Sequence, residues 1–373
     1  MALVLNDDET MLRETAEGFF RDKAPVSAWR GLRDKRNKDG FSRELWAEMA
    51  DMGFSGVLIS QEHGGVDMGF MAAGIIAEQM GRNLSASPFF STSVLAASVL
   101  RHATQDQAGF WLPQMVAGQT IMALALDEGV KHDPDHISTR AEISGNGFRL
   151  NGSKSMVVDG HVADQIIVAA ALEDDRIGFF MVDPKTEGVS VERVIMVDNR
   201  NAARLDLNNV ALTADALIGS EDVGAEIMNS VINAGRACLS AELLGAGSQA
   251  FHLTLDYMKE RKQFGRSIGE FQALQHRAAH LYSEIEIARS CVLAALTALD
   301  THDPQAAFYC AMTKAKLGDV AKLAGLEGIQ IHGGVGMTDE YDIGLYLKRI
   351  RVLQEVFGDG NYHLDKIATA QKY

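Results

Sequence analysis

A lone aspartate stands between two glycines near the end of the chain. In the stretch "VLQEVFGDGNYHLDKIA", which begins at Val352, Asp359 comes just before a predicted helix start. A carboxylate on such a turn can act as a general base, because flanking glycines let the backbone approach a ligand closely. An aspartate there is equally typical of a turn or a helix N-cap. The periodicity of the surrounding residues leaves both interpretations open.

The densest basic cluster of the chain lies in the stretch "KERKQFGRSIGEFQ". Its four cations are Lys259, Arg261, Lys262 and Arg266, of which three precede Phe264 and Gly265 and one follows them. A guanidinium at a helix end can bind a pyrophosphate through bidentate hydrogen bonds. A charged helix end that meets only solvent gives the same pattern. The residue types alone favour neither interpretation.

Paired glycines follow a long Ala-rich segment in "QIHGGVGMTDEY", which runs from Gln330 to Tyr341. This pattern is typical of a helix C-cap and turn, and it also permits a ligand to approach the backbone. The 11 histidines show neither HExxH nor HxH spacing, so no metal site is predicted. The sequence contains no GxSxG nucleophile motif.

The bulk composition limits the classes of protein to which this chain can belong. It has 373 residues, of which 47% are hydrophobic and 23% charged, as in ordinary globular proteins with two or three domains. The net charge of −15 argues against non-specific nucleic-acid binding. Three scattered cysteines indicate a reducing compartment, and the acidic start indicates no signal peptide. We therefore expect a cytoplasmic protein without a membrane span.

Three blocks of different texture must position these motifs. Residues 1–118 are helical, residues 119–225 contain short β-rich segments separated by turn signals, and residues 226–373 form long helices. The predicted β segments are "IMALALDE", "HISTRAEI", "FRLNGSKSMVV", "QIIVAAAL", "RIGFFMV" and "ARLDLNNVAL". The predicted fold class is α+β and multidomain: an N-terminal helical domain, a central antiparallel β-sandwich or barrel domain, and a C-terminal four-helix bundle.

Local signals support the helical blocks. The first helix is predicted to begin at cap-type residues from Asn6 to Asp8. Its apolar stripe comprises Met11, Leu12, Ala16, Phe19 and Phe20. In the last block, apolar residues recur at alternating spacings of four and three, a narrow seam suited to an antiparallel bundle. They are Leu239, Leu243, Ala246, Ala250, Leu253 and Tyr257, followed by Leu274, Ala278, Leu281, Ile285, Ala288, Val292 and Ala295.

Together these segments resemble the acyl-CoA dehydrogenase family over the whole chain. The stretch "RKQFGRSIGEFQ" is similar to the family signature R-x-x-F-G-x-x-I-x-x-F-Q, and "QIHGG" is similar to its Q-x-x-G-G segment. The resemblance implies that FAD is the cofactor. It implies FAD contacts at Arg261, Phe264 and Gln272, and contacts with a neighbouring subunit's FAD at Gln330, Gly333 and Gly334.

The same resemblance gives Asp359 a role. The family places a glutamate-glycine-threonine segment where this chain has Asp359, Gly360 and Asn361, and the family glutamate is the base that removes the α-proton. The resemblance therefore implies that Asp359 is the catalytic base and that Gly360 and Asn361 lie beside the cofactor. Aspartate reaches about 1.5 Å less far than glutamate, since it is one methylene shorter. Family members that move the base place it before an arginine, where this chain has Gly235.

The central block departs from the family pattern. The flavin-facing tryptophan-isoleucine-threonine segment corresponds to Met156, Val157 and Val158. Met156 can pack against the flavin ring, whereas Val158 cannot donate a side-chain hydrogen bond. In these departures, and in the segment "FGDGNYHL", the chain resembles the small subunits of pimeloyl-CoA and steroid side-chain acyl-CoA dehydrogenases.

The resemblance implies a homodimer or homotetramer that oxidises an acyl-CoA substrate and passes electrons to an electron-transfer flavoprotein. Two alternatives stay open. The chain could be a non-catalytic or half-site partner subunit in a heterotetramer with another acyl-CoA dehydrogenase. It could also be a flavin-dependent oxidase or monooxygenase on the same scaffold.

Overall fold

The computed structural model describes residues 4–173 and 176–373. The chain folds into two compact units, each assembled from separate stretches of sequence. The first unit comprises Met1–Gly31, Phe70–Ser85 and Arg236–Tyr373, and the second comprises Leu32–Gly69 and Ala86–Gly235. The element order follows the predicted sequence of helices, strands and helices. The three-domain division itself stays a prediction.

The elements are numbered in chain order. The helices are α1 (Asp7–Lys23), α2 (Val26–Asp34), α3 (Arg43–Asp51), α4 (Gly69–Asn83), α5 (Ala97–Leu100), α6 (Gln105–Val116), α7 (Gly224–Glu260), α8 (Gln272–Asp300), α9 (Ala306–His332), α10 (Ile343–Glu355) and α11 (Gly360–Ala370). The strands are β1 (Met122–Ala125), β2 (Arg140–Ser144), β3 (Gly147–Val158), β4 (Gln165–Ala171), β5 (Ile177–Val182), β6 (Val189–Ile195), β7 (Asn201–Thr213), β8 (Lys262–Gln263) and β9 (Arg266–Ser267). Short 3-10 turns and one π-helical segment (Phe89–Ala96) complete the regular structure.

Helix α1 begins where its sequence predicts. The Asn6 side chain accepts from the Glu9 backbone N–H at 2.8 Å, and the Glu9 carboxylate accepts from the Asn6 N–H at 2.8 Å. This reciprocal capping box satisfies two donors that a helix start otherwise leaves open. Ala16 and Phe20 of the predicted stripe are buried, whereas Met11 is 60% exposed. The buried face of α1 is therefore narrower than the apolar stripe that the sequence predicts.

The seam residues lie inside the helical bundle of the first unit. Those of α8 from Leu281 to Ala295 are all buried, as are the first four of α7. Helices α4 and α7 approach each other closely at two glycines. A Cβ added to Gly81 would collide with the carbonyl oxygen of Glu242, and one added to Gly245 would collide with that of Glu78. Only glycine permits this backbone-to-backbone contact.

The second unit is built on one seven-stranded sheet in the order β1-β4-β2-β3-β7-β6, with β5 paired to β4. Most pairings are antiparallel, as predicted, but β1 and β2 run parallel to β4. The sheet buries an apolar core that includes Leu150, Val168, Phe180 and Leu205. Strand β6 was not predicted, although its sequence "VSVERVI" alternates valine with polar residues.

Within the part of the chain that the structure describes, no helix combines the length and the apolar character needed to cross a bilayer.

Candidate active site

The basic cluster forms a tight hairpin after helix α7. Strands β8 and β9 pair through Lys262 with Ser267 and Gln263 with Arg266. The two turn residues, Phe264 and Gly265, have φ values of 54° and 80°. Consecutive positive φ values are typical of a two-residue hairpin turn, in which glycine is favoured and phenylalanine is not. The turn presents the Phe264 ring to solvent, with 93% of the residue exposed.

Arg261 stands at the base of this hairpin with a fixed backbone. Its N–H donates to the Tyr257 carbonyl at 2.9 Å, and its own carbonyl accepts from the Ile268 N–H at 2.8 Å. The residue is exposed, and its guanidinium forms no ion pair with any residue from 4–173 or 176–373. Gln272 is also exposed and opens α8. A cation that has a rigid backbone and no intramolecular partner is suited to bind an anionic ligand.

The glycine segment after α9 leaves open space beside the backbone. Gly333 has a φ of 65°, and a Cβ added there or at Gly334 would meet no atom within 4 Å. Gln330, in the last turn of α9, is exposed. The segment is therefore accessible to a ligand, as well as being the helix C-cap that its sequence predicts.

An aromatic cluster holds the hairpin and the glycine segment at the same end of the bundle. The Tyr257 ring stacks on His332 with 4.3 Å between ring centroids, and Tyr341 meets both rings edge-on. Tyr257 lies in the last turn of α7, and His332 is the last residue of α9. The predicted cofactor residues of these two segments therefore share one exposed surface of the first unit.

Asp359 is the N-cap of α11. Its Oδ1 accepts from the Tyr362 backbone N–H at 2.8 Å. Its Oδ2 has no hydrogen-bond donor among the described residues, and the residue is partly exposed. The two interpretations of the sequence are thus compatible, because one oxygen caps the helix and the other is available. Gly360, the first residue of α11, is partly exposed, and Asn361 is exposed.

A strained turn delivers Asp359 to this position. Phe357 and Gly358, the two residues before it, have φ values of 61° and 95°. A Cβ on Gly358 would lie 2.5 Å from Cδ1 of Tyr362, so no other residue fits there. The left-handed conformation costs conformational energy at Phe357, since only glycine adopts it freely, and it persists only when the surroundings hold it.

The other acids near α7 are not placed as bases. Glu242 is buried and its Oε1 lies 3.0 Å from Nη1 of Arg349, which is buried as well. Glu242 is therefore a structural carboxylate of the bundle. Arg236, which follows Gly235, lies over the Tyr362 ring at 5.7 Å from its centroid. The Arg236–Tyr362 contact was not predictable from the sequence, since the two residues lie 126 positions apart.

Met156 and Val158 lie on β3, in the second unit. Met156 has a φ of 52° and is 41% exposed, whereas Val158 is buried. The strand is fixed nearby by Lys154, whose buried ammonium donates to Glu128 at 2.8 Å. Partial burial disfavours the ionised carboxylate, but hydrogen bonds from Lys154 and Thr139 outweigh this effect and lower the pKa of Glu128 to about 2. Of the two predicted flavin contacts on β3, Met156 is accessible to a ligand, whereas Val158 is buried.

Comparison with known proteins gives matches along the whole chain. Sequence models for the acyl-CoA dehydrogenase N-terminal domain and C-terminal domain match residues 6–119 and 222–372. The mitochondrial long-chain specific acyl-CoA dehydrogenase of Sus scrofa is 27% identical over 96% of this chain and 85% of its own. A variant of the Tcur3481–Tcur3483 steroid ACAD has a TM-score of 0.88 and 29% identity, over 97% of each chain.

A second solved structure, electron transferring flavoprotein of Acidaminococcus fermentans, has a TM-score of 0.90 and 25% identity, and the match covers 100% of this chain and 99% of that one. The two sequence models together span well over half of the 373 residues. The chain belongs to the acyl-CoA dehydrogenase family, oxidoreductases that act on acyl-CoA and use FAD.

Proposed function

We propose that this protein catalyses the α,β-dehydrogenation of an acyl-CoA thioester, with Asp359 as the base that removes the α-proton. The observation that carries the proposal is the Asp359 turn, where one carboxylate oxygen caps α11 and the other has no donor among the described residues. Asp359 Oδ2 takes the proton, and the electron pair of the broken Cα–H bond forms the Cα=Cβ bond as a hydride leaves Cβ.

The exposed residues at one end of the bundle fit a bound FAD. Arg261 supplies a guanidinium that forms no ion pair among the described residues and can bind the pyrophosphate, and Phe264 supplies an exposed ring. Gly333 and Gly334 leave room for close approach. Gln272 supplies an amide, and Gly360 and Asn361 lie next to the Asp359 turn. Gln330, Gly333 and Gly334 are proposed to contact the FAD of a neighbouring subunit. In the second unit, taken by itself, Met156 and Val158 are the residues for which the family resemblance implies a flavin contact. When bound, FAD supplies the acceptor for the hydride.

The proposed partners follow from the family and from the similar structures. An electron-transfer flavoprotein receives the electrons, and the similarity to the A. fermentans protein supports this choice. The substrate is an acyl-CoA, for which the steroid ACAD relative favours testing a steroid side-chain thioester beside straight-chain, branched and dicarboxylic ones. That relative carries a paired name, which also supports testing a heteromeric assembly with another acyl-CoA dehydrogenase.

The test of the base is Asp359→Asn, followed by anaerobic stopped-flow bleaching of the flavin with an acyl-CoA that wild type oxidises. Asparagine is as good an N-cap as aspartate, so the fold, FAD content and acyl-CoA binding should persist. Loss of a general base should slow flavin reduction by about 10²–10⁴-fold. Reduction of the variant at the wild-type rate would show that Asp359 is only a cap.

Two further measurements separate the alternatives. Flavin that appears only after co-expression with a second dehydrogenase would favour the partner-subunit function. Rapid reoxidation of the reduced flavin by air would favour an oxidase or monooxygenase.

A further inference from the structure

A lysine is buried directly beneath the Asp359 turn. Lys314 lies on α9, is 1% exposed, and ranks among the largest fully buried side chains of the protein. Its Nζ donates to the carbonyl oxygen of Gln354 and to that of Gly358, each at 3.0 Å. No carboxylate of a described residue forms an ion pair with it. Burying a cation without a counter-ion costs several kcal/mol, so such a residue is seldom placed for packing alone.

The carbonyl of Gly358 has a second buried neighbour. Nε2 of His363, a fully buried residue on α11, lies 3.1 Å from the same oxygen. One carbonyl is therefore held from α9 and from α11, immediately before Asp359. These bonds explain how the left-handed backbone at Phe357 and Gly358 can persist.

The lysine does not need its charge to keep this position. Burial, and to a smaller extent the nearby charge of Arg236, lower the pKa of Lys314 to about 7, although Glu355 and Asp359 oppose the shift. A neutral amine still has two N–H groups, one for each carbonyl. The contact therefore survives on both sides of neutral pH.

We propose that Lys314 is a positioning residue for Asp359. By donating to the carbonyl oxygens of Gln354 and Gly358, its Nζ fixes the position and orientation of the turn that carries the Asp359 carboxylate. The inference rests on the proposed function, because positioning matters only if Asp359 is the base. A carboxylate with the short reach of aspartate tolerates little displacement, since a misplacement of about 1 Å can cost on the order of a hundredfold in rate.

The test compares Lys314→Met with Lys316→Met. Methionine keeps most of the length of lysine and removes the donors. Lys316 lies two residues away on the same helix and forms only a half-buried ion pair with Glu284, so it is a matched control. Each purified enzyme is assayed for FAD content, acyl-CoA Kd, the anaerobic flavin reduction rate and amide hydrogen exchange in residues 355–365.

In Lys314→Met we expect reduction to slow by roughly a hundredfold, with FAD content and Kd within about threefold of wild type. Amide exchange at the start of α11 should accelerate with or without substrate. In the Asp359→Asn background, Lys314→Met should add no further slowing, because residues that act as a unit are non-additive. Lys316→Met should behave as wild type.

The opposite results are distinguishable. Wild-type reduction by Lys314→Met, with Asp359→Asn inactive, overturns the inference and leaves the proposed function standing. If Lys314→Met loses FAD content, acyl-CoA affinity and reduction rate together, the lysine has only a structural role, and the inference is overturned as well. Active Asp359→Asn overturns the base assignment and the inference together. If Lys314→Met does not fold, His363→Leu decides by the same criteria, since it removes the other contact to Gly358.

Discussion

At the scale of single residues, the proposed function gives Asp359 two tasks that usually belong to different side chains. Its Oδ1 satisfies the Tyr362 N–H at the start of α11, while Oδ2 stays available to a ligand. A cap restricts the side-chain rotamer, so the available oxygen has a defined direction before any substrate arrives. In the proposed function, this restricted rotamer compensates for the shorter reach of aspartate compared with glutamate.

Arg261 allows the proposed cofactor surface to be tested at the same scale. Arg261→Ala should lose most of the FAD that wild type binds near stoichiometry, because the bidentate donor to the pyrophosphate is gone. The change removes an exposed side chain without an ion-pair partner among the described residues, so stability should change by less than about 0.5 kcal/mol. The measurement is the flavin-to-protein absorbance ratio after gel filtration.

Lys262→Ala is the matched control for Arg261→Ala, since it removes the adjacent exposed cation of the same hairpin. It should keep its flavin. Full occupancy in Arg261→Ala would show that this arginine does not bind the cofactor.

Single residues also show what the sequence could predict. The Asn6 cap and the helix start after Asp359 were predictable because both depend on neighbours within three residues. The roles of Lys314 and Arg349 were not, since their partners lie 40 to 107 positions away. A charged residue in an apolar helix was the available signal for Lys314, inside "AAFYCAMTKAKLGDVA".

At the scale of elements, α4 and α7 cross with backbone against backbone at two glycines. Gly245→Ala should push the two helices apart, because its Cβ collides with the Glu78 carbonyl, and overpacking of this kind costs about 1–3 kcal/mol or more. The expected result is a lower midpoint in thermal unfolding followed by circular dichroism.

Gly318→Ala on α9 is the control for this crossing. A Cβ there would lie 3.8 Å from its nearest neighbour, so it fits, and alanine favours the helix by up to about 1 kcal/mol. An unfolding midpoint that is unchanged in Gly245→Ala would mean that the helices separate without cost.

The elements of the second unit explain the limits of the β prediction. Strand existence could be inferred from alternation and turns, but β6 was missed, and its alternation is interrupted by Glu192 and Arg193. The parallel pairing of β1 with β4 could not be inferred, because it joins Met122–Ala125 to strand residues about 43 positions later. Pairing direction is set by the tertiary fold and not by the sequence of either strand.

At the scale of the whole molecule, assembly is the main testable property. The family resemblance implies that the segment from Gln330 to Gly334 contacts the FAD of a neighbouring subunit, and the backbone beside Gly333 and Gly334 is open. We expect a homodimer or homotetramer in multi-angle light scattering of the FAD-loaded protein. A monodisperse monomer that retains FAD would contradict this expectation, and a stable species formed only with a second dehydrogenase would favour the heterotetramer.

The glycine crossing of α4 and α7 also restricts how the sequence can evolve. When two side chains clash, a smaller residue on one helix can compensate for a larger one on the other. At Gly81 and Gly245 the obstacle is the facing main chain, which no substitution can shrink. In a library that randomises both positions together, the survivors should therefore be glycine at both, with no compensating pairs. Such positions stay constant independently of each other, and covariation between them would not reveal that their helices touch.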